Sequence, residues 1–562
     1  MKYINLTAAI GMALAGVSYD ASAQTAPPVG TPGGGQLLQQ LTLPPAPQPA
    51  DKPSLSVEQP GHTRATSTTP IPVKHIRITG NTLLPESVLH ALVVSTEGKT
   101  VTLEDLQRLT QLITDLYHDK GYPLARAYIP AQSVQDGEIT LAVVEARYGH
   151  VTLNNQSTTS DRPLNATLAP LNAGSVVTGN TLDRSLLLLS DVPGVIVNST
   201  LRPGSAPGTS DLQVDATSAP RYTGFAAIDD FGNLYTGRTR GTVTFDVNSL
   251  FHQGDKLDLN ALTSGSGMTY GQIGYKYLLN GQGTTLGVSA SGLHYKLGGS
   301  LADLDAHGTA QVDSINLTHP FIRQTGGNLY GQLQFDHKQL HDEIDLASIH
   351  TDRHTNGFTA VLAGDRRDNY GVSNFSLSAT VGQVGFDDDI ARFTDLVSAQ
   401  TQGRSEHYNL TLSRLQQLDP VNGLYLAFTG QLASKNLDPS DQFYLGGPSN
   451  ARGYDVGALT GAQGELVTLE WRRLIPIPVR GAWIASLFVD SGHIQVYKDP
   501  FVPGTNSATL SDAGLGLHWD GPHEWTFSLQ AATHVGATSS LLHSDTTRVW
   551  AQIQKGFSFA GH

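Results

Sequence analysis

The chain has 562 residues, of which 59 are glycine, 39% are hydrophobic and only 15% are charged. Low charge with abundant glycine favours a large antiparallel β structure, because strands alternate faces and each chain reversal needs turn residues; it excludes a coiled coil or helical bundle. The absence of cysteine excludes a disulfide scaffold, a thiolate zinc site, an iron–sulfur cluster and a cysteine nucleophile. The net charge of -14 gives no support to a nucleic-acid partner.

Residues 1–23 have the pattern of a secretory signal. Lys2 precedes an apolar core at residues 10–17, and Ala21-Ser22-Ala23 stands just before Gln24, the expected start of the mature chain. An N-terminal membrane anchor is the alternative, but the apolar stretch is short and no cationic stop follows it. Since no later run of about 20 apolar residues is suited to cross a bilayer as a helix, the exported chain either stays in a periplasm or spans a membrane as a closed barrel.

Residues 24–72 are rich in Pro, Gly, Thr and Ser and are typical of a linker. One segment interrupts it, at residues 35–41, where Leu37, Leu38 and Leu41 share one helical face with glutamines around them. So short a helix is marginal in water. It is therefore either a transient helix in a disordered tail or a helix stabilised by docking inside something polar.

Two mixed units are expected next, at residues 73–146 and 147–218. The first predicts the order β-α-α-β-β, with strands at 76–79, 126–129 and 138–144, a short helix after Pro85 and a second helix at 103–120 that Gly121 ends. The second repeats this order more loosely, with strands at 150–153, 195–201 and 211–215 and helices at 164–171 and 182–189.

Residues 219–562 have the pattern of an outer-membrane β-barrel. Apolar and polar residues alternate strictly in stretches of about ten, as in Leu424 to Ser434 and in the last strand, where only Lys555 lies on the apolar face. At about 21 residues per strand and turn, this region predicts roughly sixteen strands. A single β-sandwich of this length would be oversized, and a β-helix should show a fixed short repeat that the sequence lacks.

Two short motifs are candidates for a functional site. The first lies in the segment 445–454, Leu-Gly-Gly-Pro-Ser-Asn-Ala-Arg-Gly-Tyr, and ends with Arg452, Gly453 and Tyr454. The second is Phe-x-Asp-x-Gly, formed by the residues Phe488, Asp490 and Gly492. An arginine inside a narrow polar lumen favours a planar carboxylate, so Asp490 is suited to accept two hydrogen bonds from Arg452. The alternative is an ordinary lumen arginine, as in any porin.

Taken together, the signal, short helix, linker, two βααββ units, barrel and paired motifs resemble the two-partner secretion transporters. These form the TpsB class (ShlB/FhaC/HecB-like) of the POTRA-domain barrel superfamily. The resemblance implies two periplasmic POTRA domains, an outer-membrane barrel in contact with lipid, and a long loop folded into the lumen with Arg452 at its tip. Independently of the resemblance, the small leucine face and the surrounding glutamines predict that Leu37, Leu38 and Leu41 belong to a plug helix in the resting lumen.

The same resemblance implies a pore that recognises one secreted exoprotein through its POTRA domains and translocates it unfolded to the cell surface. The client would be a TpsA-type adhesin, haemolysin, or haem- or iron-scavenging protein, captured by strand addition to a POTRA sheet edge. The alternatives are a barrel-assembly or insertion factor of the same superfamily, a passive porin or receptor, and a barrel hydrolase. Assembly factors generally carry more than two POTRA units, the two units argue against a porin, and no nucleophile elbow supports an enzyme.

No cofactor and no metal are expected from the sequence. His337, His341, His350 and His354 are spaced i, i+4 in two pairs near Asp342 and Glu343, a pattern that also fits a metal or haem site. Polar loop histidines are the commoner explanation of such a pattern, and we adopt it as the expectation.

Overall fold

The computed structural model describes residues 31–41, 54–57 and 69–560, apart from residues 135, 479, 538 and 543–546. The secretory signal expected in residues 1–23 and the mature start at Gln24 lie outside the described residues. Across the described ranges, no helix combines the length and the apolar character needed to cross a bilayer.

The segment expected as a linker contains two short elements. Helix α1 (Gly34–Leu41) begins one residue before the predicted helix. The expectation of a single interruption is wrong, because residues 54–57 form strand β1 (Ser54–Val57), which pairs in parallel with a strand of the second βααββ unit. This strand exists because a neighbouring sheet edge supplies its hydrogen-bonding partners, which composition alone does not reveal.

The first unit has the predicted β-α-α-β-β order with two short additional strands. Its elements are β2 (Ile71–Val73), β3 (His75–Thr79), α2 (Glu86–Val93), β4 (Lys99–Val101), α3 (Leu103–Asp119), β5 (Arg126–Tyr128) and β6 (Glu138–Val144). The sheet order is β3-β6-β5, and β2 pairs with β4. Helix α3 begins with a capping box between Thr102 and Asp105, and its apolar side packs on the sheet.

The second unit also keeps the predicted order, with longer strands than expected. Its elements are β7 (Arg147–Gln156), α4 (Asp161–Leu168), α5 (Gly179–Ser190), β8 (Val195–Pro203) and β9 (Thr209–Ser218). Together with β1 they form a sheet in the order β1-β8-β9-β7. The leucines of α4 and α5 pack on this sheet and form one continuous core.

A closed antiparallel barrel of sixteen strands follows, as the sequence predicts. In chain order the strands are β10 (Tyr222–Asp229), β11 (Arg240–Asn248), β12 (Lys256–Thr263), β13 (Met268–Leu278), β14 (Thr285–Lys296), β15 (Ala306–Gln324), β16 (Gly327–Ile344), β17 (Ile349–Asp368), β18 (Gly371–Phe386), β19 (Gly403–Gln417), β20 (Asn422–Ala433), the loop strands β21 (Phe443–Leu445) and β22 (Leu459–Gly461), then β23 (Gln463–Ile475), β24 (Ala482–Gln495), β25 (Ser507–Asp520), β26 (Trp525–His534) and β27 (Thr547–Phe559). Helix α6 (Asp389–Leu396) joins β18 to β19.

Strand β10 pairs with β27 and closes the barrel, with Tyr222 opposite Phe559. We call the end that holds these two residues and the βααββ units the near end, and the opposite end the far end. Strands β15, β16 and β17 have 19, 18 and 20 residues, nearly twice the 9–11 that a tilted strand needs to cross a bilayer. The barrel wall is therefore tallest at these strands.

The alternation along the strands also explains the one residue that breaks the predicted pattern. Val549 and Ile553 of β27 are exposed on the outer face, and Lys555 shares that face. Lys555 lies near the near end, where its Nζ donates to the carbonyl oxygens of Gly556 (2.7 Å) and His523. Its charge therefore lies at the barrel rim rather than among the apolar side chains.

A buried arginine joins the second unit to the barrel. Arg323, at the near end of β15, is 6% exposed, and its Nε and Nη2 donate to both carboxylate oxygens of Asp191 at 2.7 and 2.6 Å. Its Nη1 donates to Asn328 Oδ1 at 3.1 Å. Arg184 of α5 donates to the Pro320 carbonyl oxygen at 2.8 Å. These contacts fix α5 against the turn between β15 and β16.

Within the first unit, a buried carboxylate organises the loop after β3. Glu145 accepts hydrogen bonds from the backbone N–H groups of Thr82 (2.7 Å) and Leu83 (2.8 Å), from the Thr82 hydroxyl and from the Tyr117 hydroxyl (2.8 Å). Burial raises the pKa of Glu145, but the hydrogen bonds, from the Thr82 hydroxyl first, outweigh burial and hold the pKa below its ordinary value. The folded unit therefore stabilises the ionised form.

We expect Glu145→Gln to lower the free energy of unfolding of the two-unit fragment by about 2 kcal/mol near neutral pH, because hydrogen bonds to a charged group are lost. The pKa of Glu145 is lower in the folded unit than its ordinary value of 4.5. Ionised Glu145 therefore contributes fully to the unfolding free energy above pH 4.5, and this contribution is lost as the pH falls through the folded pKa. Urea unfolding across this pH range should show a steep acid limb in the natural chain and a flatter one in the variant.

The matched control is Glu138→Gln, which removes an exposed ion pair between Glu138 and Arg77 and should change the unfolding free energy by less than about 1 kcal/mol. If both variants keep the same acid limb, Glu145 is not the group responsible.

Candidate functional site

The barrel lumen holds two segments, a long loop and helix α1. The loop, residues 434–462, leaves β20 at the far end and returns to β23, and it contains the small β21–β22 ladder. Its apolar residues Leu445, Tyr454 and Leu459 are buried against Ile494 and Leu510 of the wall strands. The loop is therefore a packed structural element inside the barrel.

Arg452 connects this loop to two carboxylates on neighbouring wall strands. Its Nε and Nη2 donate to the two carboxylate oxygens of Asp490 at 2.8 and 3.1 Å, and its Nη1 donates to Glu470 Oε2 at 2.8 Å. The guanidinium carbon lies 3.3 Å from the centre of the Phe488 ring. Two anions and one aromatic face thus surround one cation that is 7% exposed.

The two motif glycines allow the loop to approach the wall. A Cβ at Gly453 would lie 2.6 Å from Asp512 Cβ, and a Cβ at Gly492 would lie 2.8 Å from a Leu445 methyl carbon. Neither distance is compatible with a side chain, so both positions need glycine for close approach. At Gly453 the constraint is the close approach to Asp512 of β25.

Tyr454 and a residue outside both motifs hold the loop tip from the other side. The Tyr454 hydroxyl donates to the Ser511 carbonyl oxygen at 3.0 Å. Trp550 Nε1 donates to the Arg452 carbonyl oxygen at 2.8 Å, and the Trp550 ring is 1% exposed. The tip is thus fixed through its backbone as well as through the arginine side chain.

Sequence reasoning missed Glu470 and Trp550, although the alternation of their strands carries the signal. Val467 and Leu469 are exposed on the outer face of β23, so Glu470 has the parity of a lumen residue. Trp550 likewise follows the outward Val549. A charged or large aromatic residue at a strand position whose side chain faces the lumen is therefore a candidate partner for a loop inside the barrel.

Helix α1 also lies in the lumen, where its leucine face packs on the wall. Leu37 is 1% exposed and contacts an apolar patch formed by β13–β16, and Leu38 and Leu41 pack at its border. The patch consists of Met268, Leu293, Tyr295, Leu297, Ala306, Ala310 and Leu340. The Gly34 N–H donates to Asp342 Oδ1 at 2.8 Å. The three leucines named from the sequence thus share one contact surface inside the barrel.

The glutamines of α1 contact the long loop. Gln36 Nε2 donates to Thr460 Oγ1 at 2.9 Å, and Gln39 Nε2 donates to the Ser440 carbonyl oxygen. Gln40 Oε1 accepts from Asn233 Nδ2 at 3.1 Å. Helix α1 is therefore held between the wall on its apolar side and the loop on its polar side.

The four histidines named from the sequence do not lie in a loop, so that expectation is wrong. His337 and His341 belong to β16, and His350 and His354 belong to β17. The segment is polar because these long strands continue beyond the lipid-contacting band, and a spacing of four keeps two residues on one strand face as it does on a helix. His307, Glu343 and Asp345 lie close enough together at the far end to hold a metal ion.

A sheet edge of the second unit carries an added strand. Strand β1 pairs in parallel with the outer edge of β8, from Ser54 opposite Asn198 to Val57 opposite Leu201. Ser56 Oγ also lies 3.0 Å from Thr200 Oγ1. Apart from this pairing, β8 would present a row of unpaired backbone groups. This edge therefore accepts an extended chain without demanding a particular sequence.

Comparisons with known proteins agree with this architecture. A model of the ShlB-type POTRA domain matches residues 71–146, and a model of the haemolysin secretion/activation protein ShlB/FhaC/HecB matches residues 208–517, more than half of the chain. The heme/hemopexin transporter protein HuxB of Haemophilus influenzae strain 86-028NP is 28% identical over 466 residues, which cover 82% of each chain.

The outer membrane transporter CdiB of Dickeya dadantii is 24% identical over 482 residues, 79% of each chain. The solved structure of CdiB from Escherichia coli matches with a TM-score of 0.70 at 20% identity, covering 89% of this chain and 93% of that chain. The family match spans more than half of the chain, and the chain belongs to the ShlB/FhaC/HecB family of two-partner secretion transporters of the outer membrane.

Proposed function

We propose that this chain captures one exoprotein in the periplasm and passes it unfolded through its barrel to the cell surface. The observation that carries the proposal is the strand pairing at β8, where an extended segment already occupies a periplasmic sheet edge. Such an edge binds through backbone hydrogen bonds and therefore suits an unfolded client. Among the exoprotein classes considered, the name of the Haemophilus relative favours a client related to haem or hemopexin.

In this proposal the described arrangement is the resting state. Helix α1 and the long loop both occupy the lumen, so a client cannot pass until at least the helix leaves. Hydrogen bonds of Gly34 and of three glutamines, together with the leucine face, hold α1, and an eight-residue helix offers a small contact surface compared with that of a domain. Folding of the client outside the cell then prevents it from sliding back.

A barrel-assembly factor is the second candidate, because that class shares the superfamily fold. Such a factor would act on barrels in general, whereas a transporter acts on one client. Deletion of the gene separates the two: loss of one exoprotein supports transport, and general loss of outer-membrane barrels supports assembly.

We expect the natural chain to bind an extended client segment weakly until β1 is displaced. Proline has no backbone N–H, so replacing both Leu55 and Ser56 by proline removes whichever of the two amides donates to β8 and frees the β8 edge. This double variant should therefore bind the N-terminal segment of the client at least about tenfold more tightly. Titration of a labelled segment against the full chain in nanodiscs measures the change. Ser56→Ala, which keeps the amide and loses only the hydroxyl contact to Thr200, is the control.

Equal binding of extended and natively folded client would contradict strand addition. Equal affinity of the double proline variant and the Ser56→Ala control would show that β1 and the client do not compete for the β8 edge.

We propose that Arg452 holds the long loop in a position required for transport. Arg452→Ala leaves Asp490 in a largely desolvated wall without its cation, a loss that can reach several kcal/mol, whereas Glu470 keeps Arg472 at 2.9 Å. We expect this variant and Asp490→Ala each to reduce secretion about tenfold or more while the barrel still inserts. Arg452→Lys should restore little, since an ammonium cannot reproduce the two-pronged contact or the stacking on Phe488.

The measurement is a double-mutant cycle on secretion and on protease protection of the loop. Lys435→Ala is the control, because Lys435 lies on the same loop but donates to the Gln402 carbonyl oxygen, away from Arg452. If the effects of the two alanine variants simply add, the pair does not act as one unit.

We propose that α1 is a removable plug. Replacing Gly34–Leu41 by a Gly/Ser segment of equal length removes the leucine contact and the glutamine contacts, so single-channel conductance should rise while secretion continues. The double proline variant of β1 leaves α1 unchanged and should keep the conductance of the natural chain. Unchanged conductance in the Gly/Ser variant would mean that α1 does not limit the pore.

A further inference from the structure

The outer face of the tallest part of the barrel carries a cluster of histidines and carboxylates at its far end. On β16 the outer face is marked by Leu333 and Phe335, which are 48% and 42% exposed. The alternation continues upward along the same face to His341 and Glu343. His307 of β15 faces Glu343 directly across the ladder. The cluster therefore lies above the lipid-contacting band, on the cell-surface side.

The spacing of this cluster fits ligands of one metal ion. His307 Nε2 lies 3.5 Å from Glu343 Oε2, and His350 Nδ1 lies 3.7 Å from the same oxygen. Ligand atoms of His307, Glu343 and Asp345 all lie within 4.8 Å of one another. Two ligands bound at 2.0–2.2 Å to a tetrahedral zinc ion are about 3.3–3.6 Å apart, so small side-chain rotations suffice to complete a site.

The hydrogen bond of His307 directs one of its ring nitrogens toward a carboxylate. His307 Nδ1 can only donate to the Asp305 carbonyl oxygen, 3.0 Å away, so its neutral ring presents a lone pair on Nε2 to the Glu343 carboxylate. A lone pair facing an anion is unfavourable unless a proton or a metal ion lies between them. A ring N–H held by a carbonyl oxygen is also the usual support of a metal-binding histidine.

His341 also lies between carboxylates. Its Nε2 lies 2.5 Å from Glu343 Oε1, and its Nδ1 contacts the Asp352 carboxylate. A neutral imidazole has one N–H and satisfies only one of the two carboxylates. One proton on His341 satisfies both carboxylates, so the case for a metal ion rests on the spacing of His307, Glu343 and Asp345.

A histidine on the same face of β16 provides the contrast. His337 Nδ1 lies 2.8 Å from Asn356 Oδ1, and His337 Nε2 lies 3.2 Å from Gln339 Nε2. One nitrogen donates and the other accepts, so the neutral ring is fully satisfied. This histidine, only four residues from His341, needs no cation.

We propose that His307, Glu343 and Asp345 bind one transition-metal ion of the Zn²⁺ class at the cell-surface rim of the barrel. Imidazole ligands favour Zn²⁺ over Mg²⁺ and Ca²⁺, which prefer sites made entirely of oxygen ligands. The ion joins β15 to the turn between β16 and β17 and neutralises the carboxylates that face the histidines.

The test uses the full chain in detergent without a histidine tag, titrated with ZnCl₂ in a calorimeter and checked by metal analysis after dialysis. We expect one Zn²⁺ per chain, and we expect His307→Ala and Glu343→Gln each to weaken binding at least about tenfold, since each removes a ligand. His337→Ala is the matched control and should bind as the natural chain does. A large excess of Mg²⁺ or Ca²⁺ should not compete.

Cobalt substitution gives a second readout that needs no variant. Co²⁺ bound by a tetrahedral site of nitrogen and oxygen ligands should give visible absorption bands in the natural chain, and Zn²⁺ should abolish them. Absence of stoichiometric Zn²⁺ binding and of these bands would show that protons alone satisfy the cluster and would overturn the proposal. Equal loss of binding in His307→Ala and His337→Ala would overturn the assignment of ligands.

Discussion

The arrangement of the two segments in the lumen depends on the guanidinium of Arg452. Its side chain joins the loop to β23 through Glu470 and to β24 through Asp490, while its backbone carbonyl oxygen is joined to β27 through Trp550. One residue therefore links the loop to three wall strands. The ion pair alone is not a strong source of stability, because burying its charges costs much of what their attraction returns. The ion pair instead fixes the position of the loop, since few other arrangements satisfy all of these groups at once.

Helix α1 depends on that position in turn. Thr460 and Ser440, which accept from its glutamines, belong to the same loop that Arg452 fixes. The apolar side of α1 needs only the wall, but its polar side needs the loop in place. Displacing the loop tip should thus loosen the helix. The position of α1 depends on the position of the loop, and the position of the loop depends on Arg452.

Much of this architecture was predictable because the spacing of apolar residues and the residues that form turns depend only on neighbouring positions in the sequence. The two-residue period predicted the sixteen-strand barrel, and the spacing of Leu106, Leu109 and Ile113 predicted α3. The family resemblance placed Arg452 in the lumen, and the preference of an arginine there for a carboxylate then indicated Asp490 as its partner. Contacts between distant segments were not predictable in this way. Strand β1 exists only because β8 presents an edge, and Glu470 becomes a partner only once β23 lies beside β24. The histidines of β16 and β17 were assigned to a loop because strands that leave the membrane lose their apolar face.

The buried contact between Arg323 and Asp191 has a directional consequence. It anchors the second βααββ unit beneath the turn between β15 and β16, and the wall above that turn is part of the sector against which Leu37 packs. The unit is therefore not a freely swinging arm below the pore. The second βααββ unit at the near end and helix α1 inside the lumen are therefore held at the same side of the barrel.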